Sequence, residues 1–142
     1  MVRRAAAGDA QAVLALMAGL GRPALERDPG EQAEVFRAHV EDPDAEIFVA
    51  ERDGTVAGAV SLVFRPRLNW TTLEAWIPDL YVDPGFRRRG AARALLDACV
   101  EAARERGCHR LVLESGHERA EAHQLYEAYG FVHSGRAYGL AL

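Results

Sequence analysis

The feature that most constrains this chain is the run Ile47-Phe48-Val49-Ala50, then Asp53-Gly54, then Val56 to Phe64. Two apolar, strand-forming stretches flank a dipeptide that accepts the positive φ angles of a tight turn. This predicts a β-hairpin, so the middle of the chain must build a sheet that other elements cover. Upstream, Val13, Leu14, Leu16, Met17 and Leu20 recur at helical spacing behind Asp9, which is placed as an N-cap. Gly19, Gly21 and Pro23 break that helix. Asp28-Pro29-Gly30-Glu31 starts a second one, with Pro at the first helical position and Glu31 near the reach of a capping box. Phe36 and Val40 would face inward, and Pro43 ends the segment.

Downstream, Arg65 to Trp70 reads as a loop, Leu73 to Val82 as one strand, and Asp83-Pro84-Gly85 as its end. Ala91 to Arg106 is a helix with inner face Ala92, Leu95, Leu96, Cys99 and Ala103, and Gly107 lies past its end. Leu111 to Leu113 forms a short buried strand, and Arg119 to Ala128 a helix stopped by Gly130. Phe131 to Leu142 is expected to return as one or two strands. This alternation implies an α/β chain with a mixed, α+β-like sheet, about four helices, and helices on both faces. At 142 residues, the expectation is a single domain, 1–142.

Composition excludes some functions. A formal net charge of -4 argues against a broad basic face for nucleic acid. No stretch is long enough to span a membrane. Met1-Val2-Arg3-Arg4 is basic, but Gly8, Asp9 and Gln11 interrupt the next stretch, so it is no secretory signal and the expected location is cytoplasmic. Cys99 and Cys108 read as small buried hydrophobes, since His109 would point to the opposite strand face from Cys108. His117, Glu118 and His123 do not make a tetrahedral ligand set, so no metal is expected.

The most informative segment is Tyr81 to Ala92. A strand ends, a turn comes next, and a helix begins on the small residues Gly90, Ala91 and Ala92. Exposed N–H groups at a helix N-terminus, with the helix dipole behind them, form an anion site. Small side chains let a diphosphate approach the backbone, and Arg87, Arg88 and Arg89 add charge and forked donors. The segment has neither the Gly-x-Gly-x-x-Gly of a dinucleotide fold nor the Gly-Lys-Ser/Thr of a P-loop. A solvated arginine turn is the competing reading.

Two motifs carry a resemblance. Arg87-x-x-Gly90-x-Ala92 is similar to the acetyl-CoA signature of the GNAT superfamily of N-acetyltransferases. Ala122, Leu125, Tyr126, Gly130 and Phe131 match that superfamily's Ala-x-x-Leu/Phe-Tyr-x-x-x-Gly-Phe. The resemblance covers essentially the whole chain. It implies the GNAT acyl-CoA N-acyltransferase fold and acetyl-CoA as cosubstrate. Leu80, Tyr81 and Val82 would pair with the pantetheine arm, and Arg87 to Ala92 would hold the pyrophosphate. Where many relatives carry Asn, this chain has Arg119. Together with His123, placed here as a cofactor contact, it resembles a small-amine subgroup that includes aminoalkylphosphonate acetyltransferases.

Amine acetylation sets its own demands. An alkylammonium with a pKa near about 10.4 must lose a proton, and the leaving thiolate should gain one. The resemblance makes Tyr126 the acid; its competing role is an aromatic anchor with Leu125 and Phe131. Glu114 is the candidate base, with burial expected to raise its pKa; the competing role is a carboxylate paired with Arg119 or Arg110. Asp79, Glu74 or a water chain are alternatives. Trp70, Glu74, Trp76 and Asp79 are candidate acceptor contacts, and Arg65, Arg67 and Arg119 would suit an acidic acceptor. The expected partner is a small-molecule amine, with no nucleic acid and a homodimer left open. The alternatives are a peptide N-terminal or lysine acetyltransferase and a GNAT module that binds CoA without turnover.

Overall fold

In the computed structural model, residues 1–19, 28–87, 90–114 and 120–142 are described. Two compact units are present, Met1–Val112 and Leu113–Leu142. In chain order the elements are β1 (Val2–Arg4), α1 (Ala10–Gly19), α2 (Pro29–Glu41), β2 (Ala45–Arg52), β3 (Thr55–Arg65), β4 (Glu74–Ile77), β5 (Leu80–Val82), α3 (Ala91–Glu105), β6 (Arg110–Leu113) and α4 (Ala120–Tyr129). The sheet runs β1-β2-β3-β4-β6, with β5 also paired to β3.

The expected hairpin is its centre. β2 and β3 pair antiparallel from Ala45↔Val63 to Arg52↔Thr55. Asp53 and Gly54 take φ of 51° and 77°, the left-handed pair that a two-residue turn requires. Alternation along β3 covers both faces. Ala59 packs with Ile47, Val49, Val13, Leu16 and Phe36 on the α1–α2 side, whereas Gly58 and Phe64 meet Leu95 and Arg106 on the α3 side. The buried face of α3 is Leu95, Leu96, Cys99, Ala102 and Ala103.

Local capping matches the sequence in α2 and departs from it in α1. Asp28 accepts from the Glu31 N–H at 2.9 Å, behind Pro29. Asp9, expected as an N-cap, instead closes a 3-10 turn (Ala7–Asp9) ahead of α1 and accepts from the Ala6 N–H at 2.8 Å. The same carboxylate pairs with Arg3, whose guanidinium also reaches Glu51 at 2.8 Å. This draws Val2–Arg4, read only as a basic start, into β1 against β2.

Two expectations fail. The single strand over Leu73 to Val82 is broken at Pro78-Asp79. Val63 pairs with Trp76, but Val60 pairs with Leu80, so three residues oppose two of β3. Pro78 has no N–H to continue a ladder, and the extra residue is absorbed as a bulge. Within Phe131 to Leu142 no strand forms. Only Val132 in that stretch is β-branched, Gly135 and Gly139 interrupt it, and Val132, Tyr138, Leu140 and Leu142 are exposed.

β5 must lie very close to β3. A Cβ built on Gly58 would stand 3.0 Å from the Tyr81 carbonyl oxygen, 3.2 Å from a Leu95 methyl and 3.3 Å from a Val82 methyl. Gly58→Ala should therefore destabilise the fold by about 1–3 kcal/mol through overpacking, read as a lower urea midpoint at unchanged slope.

Candidate active site

The bulge decides which peptide groups of β5 are available. Ser61 N–H donates to the Asp79 carbonyl at 2.9 Å, and Asp83 N–H donates to the Ala57 carbonyl at 2.8 Å. Alternation in an antiparallel ladder then turns the Tyr81 peptide groups toward Ala59 and those of Leu80 and Val82 away from β3. β6 pairs with β4 rather than with β5. Among the described residues, no strand covers the outer edge of β5. Of the three residues expected to hold a pantetheine arm, Leu80 and Val82 present that edge, and Tyr81 does not.

Past Val82, Asp83 accepts from the Gly85 N–H at 2.8 Å and closes a 3-10 turn over Pro84–Phe86. Arg87 is exposed, with Nε 3.5 Å from the Val82 carbonyl oxygen. Gly90 then caps α3 with φ 81°, ψ 2° and offers no side-chain cap. Among the described residues, no atom beyond its chain neighbours lies within 4 Å of a Cβ placed there, and no acidic residue occupies the first turn of α3. Ala91 and Ala92 thus open a 15-residue helix whose positive end has no side-chain cap among the described residues. The positive φ at Gly90 is one that side-chain-bearing residues rarely adopt. Arg88 and Arg89 lie outside the described residues, as does Arg119.

The second unit holds the other motif. Tyr126 is buried on α4, and its ring meets Phe131 edge-on, with centroids 6.0 Å apart. Gly130, at φ 121°, and Phe131 both donate backbone N–H groups to the Tyr126 carbonyl. The aromatic-anchor contact with Phe131 is therefore present whatever the hydroxyl does. His123 is half-buried on the same helix. Glu114 is exposed just past β6, so the burial expected for it is absent.

Residues 13–131 match the family described as Acetyltransferase (GNAT) family. The chain belongs to that family. The GNAT family uses acetyl-CoA. A solved structure from Agrobacterium tumefaciens str. C58, of a protein assigned as an acetyltransferase, aligns over 100% of this chain and 99% of its own, with TM-score 0.90 and 26% identity. Aminoalkylphosphonate N-acetyltransferase of Salmonella typhimurium is 29% identical over 133 residues, 94% of this chain and 85% of that protein. N-acetyltransferase 8 of Homo sapiens is 27% identical over 110 residues, 76% of this chain but 48% of the human protein. The chain spans about half the length of several relatives it matches.

Within this GNAT domain, the candidate acceptor contacts separate. Glu74 is fully buried at the start of β4. Its Oε1 accepts from Arg65 Nε at 2.9 Å and lies 3.3 Å from Arg67, and its Oε2 accepts from Arg110 Nε at 2.7 Å. Glu74 and the described arginines suggested for an acidic acceptor, Arg65 and Arg67, are thus committed to one another across β3 and β4. Trp76 lies under the Arg65 guanidinium at 4.6 Å, and Trp70 stacks on His109 at 4.1 Å. Asp79 sits in the bulge, where Tyr81 Oη donates to it at 2.8 Å and Ser61 Oγ at 3.4 Å. Burial pushes the Cys99 thiol up to about 12, so it is no nucleophile. Among the described residues, no helix is long and apolar enough to cross a membrane.

Burial pushes the Glu74 carboxyl upward, but hydrogen bonds from Arg110 and Arg65, and their charges, outweigh it and hold it at about 2. A carboxylate depressed in the folded state contributes stability above its ordinary value and loses it as pH falls through the folded one. The thermal midpoint should fall as pH drops from 4.5 toward about 2. In Glu74→Gln it should be lower at neutral pH and decline less steeply over that range.

Proposed function

We propose that this protein transfers an acetyl group from acetyl-CoA to the primary amine of a small molecule, by direct attack in a ternary complex. The observation that carries the reading is the open β5 edge running, through one tight turn, into the Gly90-capped start of α3. In this reading the peptide groups of Leu80 and Val82 hold the pantetheine arm. The N–H groups at Ala91 and Ala92, with Arg87, Arg88 and Arg89 around them, hold the pyrophosphate. Arg119 and His123 are further proposed cofactor contacts.

Acetyl-CoA supplies a thioester whose acyl carbon exchanges its bond to sulfur for a bond to nitrogen. The acceptor ammonium sheds two protons. One leaves for a base before attack; the other balances the departing thiolate, leaving a net release of one proton. Tyr126 is the proposed donor to sulfur. For the base, the exposed Glu114 competes with water led along Asp79.

A small-molecule acceptor is supported by the relative from Salmonella typhimurium, whose name gives an aminoalkylphosphonate as its acceptor and which matches 94% of this chain.

The test is thiol release from acetyl-CoA over a panel of amines and peptides, alongside CoA binding by calorimetry. Gly90→Val with Arg87→Ala should weaken CoA binding about tenfold or more, because charge-assisted hydrogen bonds to phosphate are lost. Unchanged affinity would remove the pyrophosphate from this turn. Tyr126→Phe should lower turnover about a hundredfold at unaltered CoA affinity. An unchanged rate would leave Tyr126 with packing alone. CoA binding with no thiol release from any acceptor would make the protein a binding module.

A further inference from the structure

A cavity of about 340 Å³ lies between the α1–α2 pair and the sheet. Its volume is at the lower end of the range for small-molecule sites, which runs from about 300 to 1,000 Å³. Most of its wall is apolar, including Val13 and Met17 from α1, Phe36 from α2 and Ile47 from β2. The polar groups are few and placed at two ends of chain elements. Asp79, Tyr81 and Ser61 come from the bulged part of the sheet, and Gln32 and His39 come from α2.

The Asp79 end is built to hold a carboxylate in one orientation. Tyr81 Oη and Ser61 Oγ reach its two oxygens separately, at 2.8 and 3.4 Å, and Tyr81 itself is 3% exposed. Asp79 adjoins Leu80, whose peptide groups face the open edge. A cation resting on Asp79 therefore stands one residue from the strand edge that the proposed thioester arm occupies. At the α2 end, the Nε2 atom of His39 is buried without a hydrogen-bond partner among the described residues. A buried polar atom left unpaired costs about 1–3 kcal/mol, and a ligand group reaching it would recover that cost.

We propose that this cavity is the acceptor socket, and that it selects a monocationic primary amine with a compact apolar body and one uncharged hydrogen-bonding group at its far end. The inference rests on the acetyltransferase reading. The ammonium is anchored by Asp79, the body lies against Val13, Met17 and Phe36, and the distal group meets His39. Among the described residues, Asp79 is the socket's only carboxylate, so a second positive charge on the acceptor would have no counterion on the apolar wall. A phosphonate or carboxylate end would be desolvated beside aliphatic groups. Polyamines and acidic amines are thereby disfavoured.

The experiment uses the full chain with phenethylamine, tyramine, spermidine and aminomethylphosphonate as probes. Thiol-release kinetics should rank tyramine and phenethylamine first in kcat/KM. Asp79→Asn keeps an acceptor for Tyr81 Oη but removes the charge. It should raise the KM of both arylalkylamines about tenfold or more and leave the KM of acetyl-CoA unchanged, with partial rescue by Asp79→Glu. His39→Phe should raise the KM of tyramine and spare that of phenethylamine. Preference for spermidine or aminomethylphosphonate, or an Asp79→Asn protein with unaltered amine KM, would overturn the inference while leaving the acetyltransferase reading intact. If no amine releases thiol, that reading falls, and methyl NMR decides the socket by itself. Shifts at Val13 and Met17 on adding phenethylamine, lost in Asp79→Asn, support it, and no shift at millimolar amine overturns it.

Discussion

The site depends on a one-residue offset between β4 and β5 as both pair with β3. Val63↔Trp76 and Val60↔Leu80 cannot belong to one uninterrupted ladder. The extra residue at Pro78-Asp79 lets β4 take β6 as its other neighbour, while the outer edge of β5 stays without a strand among the described residues. An exposed strand edge is normally a hazard, because its N–H and C=O groups recruit other strands. Here only three residues are involved, and in the proposed function the arm of acetyl-CoA pairs with them as a strand would. Gly58 makes this geometry reachable, because a Cβ there would crowd the Tyr81 carbonyl at 3.0 Å and Leu95 at 3.2 Å.

On the two sides of the bulge, two carboxylates have different surroundings. Glu74 faces three guanidinium groups and is fully buried, so its charge is spent on tying β3, β4 and β6 together. Such a network specifies register more than it adds stability, since desolvating the charges offsets much of their attraction. Asp79, five residues later, is held by hydroxyl donors beside an apolar cavity. Sequence treats these residues alike, as acids on one strand. Apart from Tyr81, two residues from Asp79, their partners come from β3, β6 and the loop after β3, and no local pattern announces those.

Several features were legible because their causes are local. Asp53-Gly54 demands a left-handed turn wherever it stands, Asp28-Pro29 caps a helix from within four residues, and Gly90 accepts a φ that other residues resist. The spacing of Leu95, Leu96 and Cys99 likewise shows which side of α3 is buried. What escaped was non-local. β1 exists because Arg3 is held by Asp9 and by Glu51, which is 48 residues away. The break at Pro78 reflects the register of β3, and the tail from Phe131 has apolar residues but few that favour a strand.

The sequence by itself determined most of the element types, the start of α3 on small residues and the two motifs that mark the acetyltransferase (GNAT) family, because backbone conformational preference and side-chain spacing act over a few residues. Only the tertiary structure decided that Leu80 and Val82 rather than Tyr81 face the open edge, that Glu74 is consumed by arginines, and that Asp79 and His39 line one cavity. Those outcomes turn on strand register and on which distant charges meet, and a shift of one residue would reverse each of them.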